Sequence, residues 1–597
     1  MAEALETRVP PKLLVAAIDF GTTYTGIGFS MKDTYQQDPT KIWTKHWGRT
    51  GGGPALVSEK TPTCLLLTPD KDFHAFGYDA EDKYCELSQE NQHIGWYYFK
   101  NFKMTLYHEK INRLTMLYSD QKLEMSALDI FKHSIAFIKG ELLRELKKQD
   151  ILSTTLKTEP NKIKENEIGW VLTVPAIWDF TAKQFMREAA KRAGIPTEQL
   201  TLALEPEAAS VFVKEMNVKR EISDDRVSLT QYDPGTRYMV LDLGGGTVDV
   251  TVREVLPDRT LKEITKASGG AWGGLRVNEE VFKYLEEMFT PELLNRLQTE
   301  STFDYLELER RVEMVKRNMK PDSKGRFTLQ IPMELRDMFE KKNGRSLMDM
   351  ISKLKLSNPA EMVKDKLKFN QQMMVKCHSP SFESIIEHCR TVFASPHGRD
   401  ITDIIMVGGF AESKIMQSLI RQTFPDRSII VPQEAGLVVL KGAVIYGHCP
   451  RIVSCRIASK TIGVRNLRFF LQESDPGEKK EIINGVPYCK DIFHKLCGAD
   501  DEFLIGETVT HEIYPLRPDM TEMTLNLFQT DDKNPIYTTD AGCTEIGKIR
   551  VEMPNISKGM ERQVNVSLIF GDTELIVEGV DKETGKSTRV HLDLLHH

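Results

Sequence analysis

Disulfide chemistry has little to work with in this chain. Its 597 residues hold nine cysteines, an odd number and widely scattered, which excludes a disulfide framework. The nearest pair, Cys449 and Cys455, lacks the C-x₂₋₄-C spacing of a zinc knuckle, so buried thiols are expected. No stretch approaches the roughly 20 apolar residues of a membrane span. The N-terminus, MAEALETRVPPKLLVAAIDFG, is acidic where a secretory leader would be basic, and Asp19 interrupts its short apolar run. A cytoplasmic protein, or one also nuclear, is expected. No basic stripe stands out against a net charge of −7, which removes nucleic acid from the expected partners. Hydrolase signatures are missing too: there is no G-x-S-x-G elbow and no H-E-x-x-H helix. Gly585-Lys586-Ser587 is no Walker loop, because Val580 stands where its first glycine belongs.

What is present is ordinary globular composition, 40% apolar and 28% charged, in a chain long enough for about three to five cooperative units. Within it one pattern occurs twice. Ala17-Ile18-Asp19-Phe20-Gly21-Thr22-Thr23-Tyr24 is echoed by Val240-Leu241-Asp242-Leu243-Gly244-Gly245-Gly246-Thr247. Each copy is an apolar strand, then Asp-x-Gly, then small or hydroxyl residues, then a returning strand. Glycine lets backbone N–H groups approach an anion with no Cβ in the way, and a turn of small residues aims several of them into one concavity. The hydroxyls of Thr22, Thr23 and Thr247 add donors. Asp19 and Asp242 repel phosphate, so their expected work is to hold Mg²⁺ and its waters. Two such hairpins, one per half, imply two lobes facing a phosphate-binding cleft. The Asp19-Phe20-Gly21 triplet is not that of a protein kinase, because no strand lysine and H-R-D loop precede it.

Other segments fit an α/β frame. Ile168–Val174 reads as a strand ending at Pro175, and Thr181–Ala193 as the helix after it. Glu205 precedes a proline and is expected to be extended, at an edge or loop. Asp403–Val407 reads as a strand running into the Gly408-Gly409 turn, with a helix from Glu412. The Gly269–Gly274 stretch, GGAWGG, is weak by itself and gains value only from the repeat around it. Residues 320–376 show mixed helical patterning without a motif and read as a helical lobe or insertion of the same domain.

Together these residues resemble the actin-like ATPase superfamily and, within it, the 70-kilodalton heat-shock chaperones. IDFGTTYTGIGFS, VLDLGGGTVDVTV, LTVPAIWDFTAKQFMREAAKRAG, LEPEAAS and IIMVGGFAES carry the likeness. WYYFKNFKM, GRDITDIIMVGGFAES and FGDTE place it nearest the divergent heat shock 70 kDa protein 12 branch. The resemblance implies a two-lobed, ribonuclease-H-like ATPase domain over residues 11–450 and a C-terminal β-sandwich over 451–597. It implies catalytic roles for Asp19, Glu205 and Asp242. Metal-linked roles follow for Asp19 and Asp242 at Mg²⁺ and for Asp249 beside a potassium ion. ATP or ADP would be held by Gly21, Thr22, Thr23, Tyr24, Gly244, Gly245, Gly246, Thr247, Gly273 and Gly274. Its nucleoside would meet Glu313, Lys316, Arg317, Gly408, Gly409, Phe410 and Ser413.

The chain departs from the family where the family keeps a catalytic lysine. The matching segment, Phe76-Gly77-Tyr78-Asp79-Ala80-Glu81, carries Glu81, and Lys83 follows two residues later. Lys183 stands where an arginine is expected. Gly447–Val453 lacks the family's leucine-rich linker, and past about residue 455 polar and apolar residues alternate to His597 without a helical lid. The expected function is an ATP-binding, chaperone-like protein with slow hydrolysis, whose nucleotide state tunes a β domain for unfolded peptide or a partner protein. The alternative is a nucleotide-binding adapter with little or no hydrolysis.

Overall fold

The computed structural model describes residues 12–595 apart from 49–56, 153–161, 217–218, 224–225, 322–326, 352–355, 358, 484, 516, 571–574 and 592–594. The Gly571-Asp572 turn and most of FGDTE lie outside the described residues.

Two sheets follow one plan. In the first, Leu14–Phe20 runs parallel to Ile168–Val174 on one side and antiparallel to Tyr24–Met31 on the other, with Leu200–Leu204 and Trp43–Thr44 beyond. In the second, Arg237–Leu243 runs parallel to Asp403–Val407 and antiparallel to Val248–Val255, with Ser428–Ile430 and Leu261–Gly270 beyond. The internal echo is thus a repeat of whole sheets.

The inner strands Leu14–Phe20 and Arg237–Leu243 are apolar apart from Arg237 and the two aspartates, because both their faces are covered. Leu14, Ala16 and Ile18 point into the outer core of the first lobe, whereas Val15 and Ala17 point the other way. Met239 and Leu241 enter the core of the second lobe, whereas Tyr238 and Val240 face inward. Between the two inner faces lie the helices Glu205–Glu215 and Val438–His448. They cross at very close range. A Cβ on Gly442 would stand 1.7 Å from the carbonyl oxygen of Ala208.

Residues 320–376 are more than helical. Phe327–Gln330, Lys366–Phe369 and Ala360–Val363 form an antiparallel sheet beside the helices Met333–Asn343 and Leu347–Ile351, packed on the second lobe's core. Each of these strands is only four residues long, too short for its alternation to stand out. The helix after Pro175 spans Phe180–Arg192, capped by Asp179, whose carboxylate accepts from Ala182 N–H at 2.8 Å.

Past residue 450 the chain first returns to the second lobe. Val453–Ile457 joins Leu261–Gly270 in parallel, and Glu502–Leu504 pairs with it, so the division expected at residue 450 is crossed by sheet pairing. The remainder forms two antiparallel sheets, one of five strands with Thr461–Phe469 at its centre and one of four from Thr508–Ile513 to Ser587–His591. Ile462, Leu527 and Val551 from one meet Val566, Leu568 and Val577 from the other in a single core, against which Phe180 also packs. The Asp581–Gly585 turn joins the last two strands, with Gly585 at φ 68°. Leu595 is buried in the first lobe's core, and its carbonyl accepts from Arg113 at 2.9 Å. No helix of the described residues is long and apolar enough to cross a membrane.

Gly442→Val is expected to lower the unfolding free energy by about 3 kcal/mol, at the upper end of what overpacking costs. Gly477→Ala, where nothing stands within 4 Å of the new carbon, should leave the urea midpoint unchanged.

Candidate functional site

The strand period brings the two aspartates together. Asp19 follows Val15 and Ala17 on the inward face, and Asp242 follows Tyr238 and Val240. Both carboxylates therefore reach one cavity of about 290 Å³, which Glu205 also lines. Glu205 is not extended: it is the first residue of its helix, and the extended conformation falls on Leu204 (φ −73°, ψ 131°). Pro206 sits in the first turn, where a backbone N–H has no intrahelical partner to lose.

The loops touch across the cleft. A Cβ on Gly245 would lie 2.2 Å from the Thr23 hydroxyl, so only glycine permits that approach. Behind the second loop, the carbonyls of Gly244, Gly245 and Gly246 accept from the N–H groups of Gly274, Leu275 and Gly273 at 3.1, 2.8 and 3.0 Å. In a trans peptide the N–H points opposite to the C=O, so this bracing turns the N–H groups of Gly245, Gly246 and Thr247 to the other side together. Three successive donors on one side form an anion-binding concavity. The GGAWGG stretch thus serves as the brace. In the first loop, Thr63 holds the Gly21 carbonyl through its hydroxyl and the Thr23 carbonyl through its N–H, each at 2.8 Å.

Burial, with carboxylate repulsion added to it, sets the electrostatics. Burial, and then the charges of Glu205 and Asp249, hold Asp242 well above the usual carboxylate range. Burial likewise raises Glu205, against the pull of Lys103 and with the push of Asp19. Such a set fits a divalent cation. The carboxylates suit a hydrated ion such as Mg²⁺, contacted through its waters.

Asp249 does something else. It does not line the cavity; its Oδ1 accepts the N–H groups of Ala176 and Ile177 at 3.0 and 3.2 Å, tying the second lobe's hairpin to the turn after Pro175. Burial, with the charge of Glu205, raises it to about 7. Asp249 was expected beside a potassium ion; what the structure gives it is this link between hairpin and turn. Gly273 also lies outside the cavity lining, as part of the brace.

At the far end, Glu313 accepts from Lys316 at 2.6 Å, Arg317 at 2.8 Å and Asn278 at 2.8 Å. Burial alone would raise it, yet Lys316 and Arg317 bring it down to about 2. The Arg317 guanidinium stands 4.5 Å over the Tyr24 ring, joining the lobes. Gly408 holds φ 88°, where a Cβ would lie 2.4 Å from Asp242 Oδ1. Gly409 and Phe410 follow in a short 3₁₀ turn, and the Ser413 hydroxyl caps the next helix, 3.4 Å from Met416 N–H.

Sequence reasoning missed two cations. Lys60 Nζ lies 2.6 Å from Asp19 Oδ2, and Lys103 Nζ lies 2.6 Å from Glu205 Oε1; both line the cavity. Glu81, by contrast, pairs with Arg310 at 3.3 Å, and Lys83 pairs with Glu86 on the surface. Neither lysine lies in a phosphate-loop pattern, so nothing local in VSEKTPT or FKNFKM marked them.

His378 was also missed. Its ring is buried between the Met374 carbonyl at 2.8 Å and the Ser413 hydroxyl at 3.3 Å. Burial lowers it to about 4. Between that value and the ordinary 6.5 the unfolded chain binds a proton that the folded one does not, so stability falls as pH drops through this window. His378→Asn should remove about 2 kcal/mol of the loss between pH 7 and pH 5 in urea titrations.

Comparison with known proteins shows the family. A family model described as Hsp70 protein matches residues 135–450. Human heat shock 70 kDa protein 12A is 32% identical, over 98% of this chain and 92% of that protein. Human heat shock 70 kDa protein 12B is 32% identical, over 99% and 93%. The chaperone protein DnaK of Mycoplasmopsis agalactiae is 23% identical over 53% of this chain and 48% of its own length. The likeness to 12A and 12B runs through both lobes and the C-terminal sheets alike. The chain belongs to the Hsp70 family, in the divergent branch of heat shock 70 kDa proteins 12A and 12B.

Proposed function

We propose that the chain binds ATP with Mg²⁺ between its two Asp-x-Gly loops, hydrolyses it slowly, and uses the nucleotide state to tune its C-terminal sheets. The observation that carries this reading is the shared cavity: both loops, Asp19, Glu205 and Asp242 line it together. On this reading the lobes are an actin-like nucleotide-binding unit, and the C-terminal sheets a β-sandwich for unfolded peptide or a partner protein. Mg²⁺, when bound, neutralises phosphate oxygens and presents ordered water to the carboxylates. The loop N–H groups and the hydroxyls of Thr22, Thr23 and Thr247 hold the phosphates. Glu205 orients the attacking water. Gly408, Phe410 and Arg317 frame the nucleoside. Nine cysteines, none in a disulfide, support action in the reducing cytoplasm.

Two contacts support coupling to the C-terminal sheets. Asp249 holds the turn after Pro175, and three residues beyond Ile177 the ring of Phe180 rests on the C-terminal core. On the other route, Glu207, two residues past Glu205, is fully buried against Arg456 of the strand Val453–Ile457; Arg456 Nε reaches it at 3.1 Å and its Nη2 also meets the Tyr446 hydroxyl at 3.0 Å. Exposed Phe469, Leu471 and Ile482 at one end of the five-stranded sheet supply apolar surface for a partner. The adapter reading, with little hydrolysis, draws on Glu81 and Lys83, which are engaged with Arg310 and Glu86 and do not line the cavity that Asp19 and Asp242 share.

Equilibrium ATP binding and single-turnover hydrolysis, in wild type beside Asp19→Ala and Asp242→Ala, separate the readings. Wild type should hold ATP in Mg²⁺, with each variant turning over about a hundredfold more slowly. Equal, slow rates in all three, with ATP held by wild type alone, would leave only the adapter. Gly245→Val should abolish nucleotide binding; retained micromolar affinity would refute the loop assignment. Arg456→Met should cost about 3–5 kcal/mol by stranding the Glu207 charge. Arg456→Met with Glu207→Leu should recover most of that loss in urea denaturation, because no buried charge is left unpaired.

A further inference from the structure

Phosphoryl transfer needs positive charge where the terminal phosphate gathers negative charge, and a low-dielectric site makes each such charge count. The expected lysine position holds Glu81, which is spent on Arg310. We infer that Lys103 supplies this charge: its ammonium is the cation that meets the terminal phosphate of ATP in the cavity. The inference rests on the ATP reading above and adds a residue to it.

Lys103 is built into the site from below. Strand Tyr97–Lys100 leads through Asn101, at φ 54°, into the 3₁₀ turn Phe102–Met104. The Phe102 ring is anchored in the first lobe's core against Phe131, at 5.1 Å and nearly perpendicular. On the other side of Lys103, Met104 Sδ receives the Thr22 hydroxyl at 3.8 Å and would collide with a Cβ on Gly246 at 2.3 Å. The turn is thus held between the core and both phosphate loops. Its lysine is 2% exposed, with Nζ 2.6 Å from Glu205 Oε1 and 5.1 Å from the Trp178 ring centre. A buried ammonium with three donors, set beside the carboxylate that orients water, is placed for the charge that develops on phosphate. Lys60 is less committed: it is 18% exposed and bonded to Asp19.

In hydrolysis the water oxygen bonds to the γ-phosphorus while the bond from that phosphorus to the β–γ bridging oxygen breaks. The electron pair leaves on ADP, and the water's proton passes by way of Glu205 to solvent. Lys103 forms no covalent bond in this step; it donates to the γ-phosphate oxygens as their charge grows. It also favours the nucleotide that has a γ-phosphate.

The test measures ATP and ADP affinities and single-turnover hydrolysis in full-length wild type, Lys103→Gln, Lys103→Met and Lys103→Arg. Lys103→Gln keeps a donor for Glu205 and so guards against a folding failure in Lys103→Met, which thermal melts would reveal. The neutral variants should lose about tenfold in the preference for ATP over ADP and about a hundredfold in rate, with ADP affinity kept. Lys103→Arg should retain most of the preference, whereas a merely structural role would weaken both nucleotides equally. Lys83→Met, on the surface, should behave as wild type. An unchanged ATP preference and a rate within threefold in Lys103→Gln would overturn the inference. Wild type binding neither nucleotide would overturn it too, together with the ATP reading on which it rests.

Discussion

The contact on which the rest depends is the crossing of the helices Glu205–Glu215 and Val438–His448, where Gly442 lies against the backbone of Ala208. Only a residue without a side chain allows two helices this close, and only helices this close let two sheets bury their inner faces on one thin layer. The period of two along Leu14–Phe20 and Arg237–Leu243 then does the remainder. Because Val15, Ala17, Tyr238 and Val240 must face that layer, Asp19 and Asp242 must face it as well. The cleft is a consequence of apolar burial, and its carboxylates are carried there by register.

Concentrating Asp19, Glu205 and Asp242 around one cavity is costly unless positive charge accompanies them. The protein supplies two such charges, Lys60 and Lys103, each on one carboxylate. A bound Mg²⁺ would add further positive charge beside the same carboxylates. Asp249 shows the other solution to buried charge: its carboxylate is satisfied by two backbone N–H groups and becomes part of the frame.

Features written in adjacent residues were legible in the sequence. The two Asp-x-Gly hairpins, the strand and helix on either side of Pro175, and the Gly408-Gly409 turn all declare themselves through local apolar period and glycine placement, and the structure gathers nearly all of the named phosphate and nucleoside residues into one cavity. What depended on distant partners was not legible. Lys103 reaches Glu205 across more than a hundred residues of chain, and Arg456 reaches Glu207 across more than two hundred. Glu205 was misjudged because a following proline usually enforces extension, whereas here the helix start absorbs it at Leu204. The strand Val453–Ile457 was hidden because its pairing is with Leu261–Gly270, far earlier in the chain. The family pattern alone would have left the phosphate end without a lysine; the packing of Phe102 and Met104 restores one from another element.

The most direct measurement is a crystal structure of the full chain with Mg²⁺ and a non-hydrolysable ATP analogue. The account requires the triphosphate between Gly21–Tyr24 and Gly244–Thr247, a hydrated ion beside Asp19 and Asp242, and the base near Phe410 and Arg317. A nucleotide bound elsewhere, or density between the loops that holds no phosphate at saturating ligand, would contradict it.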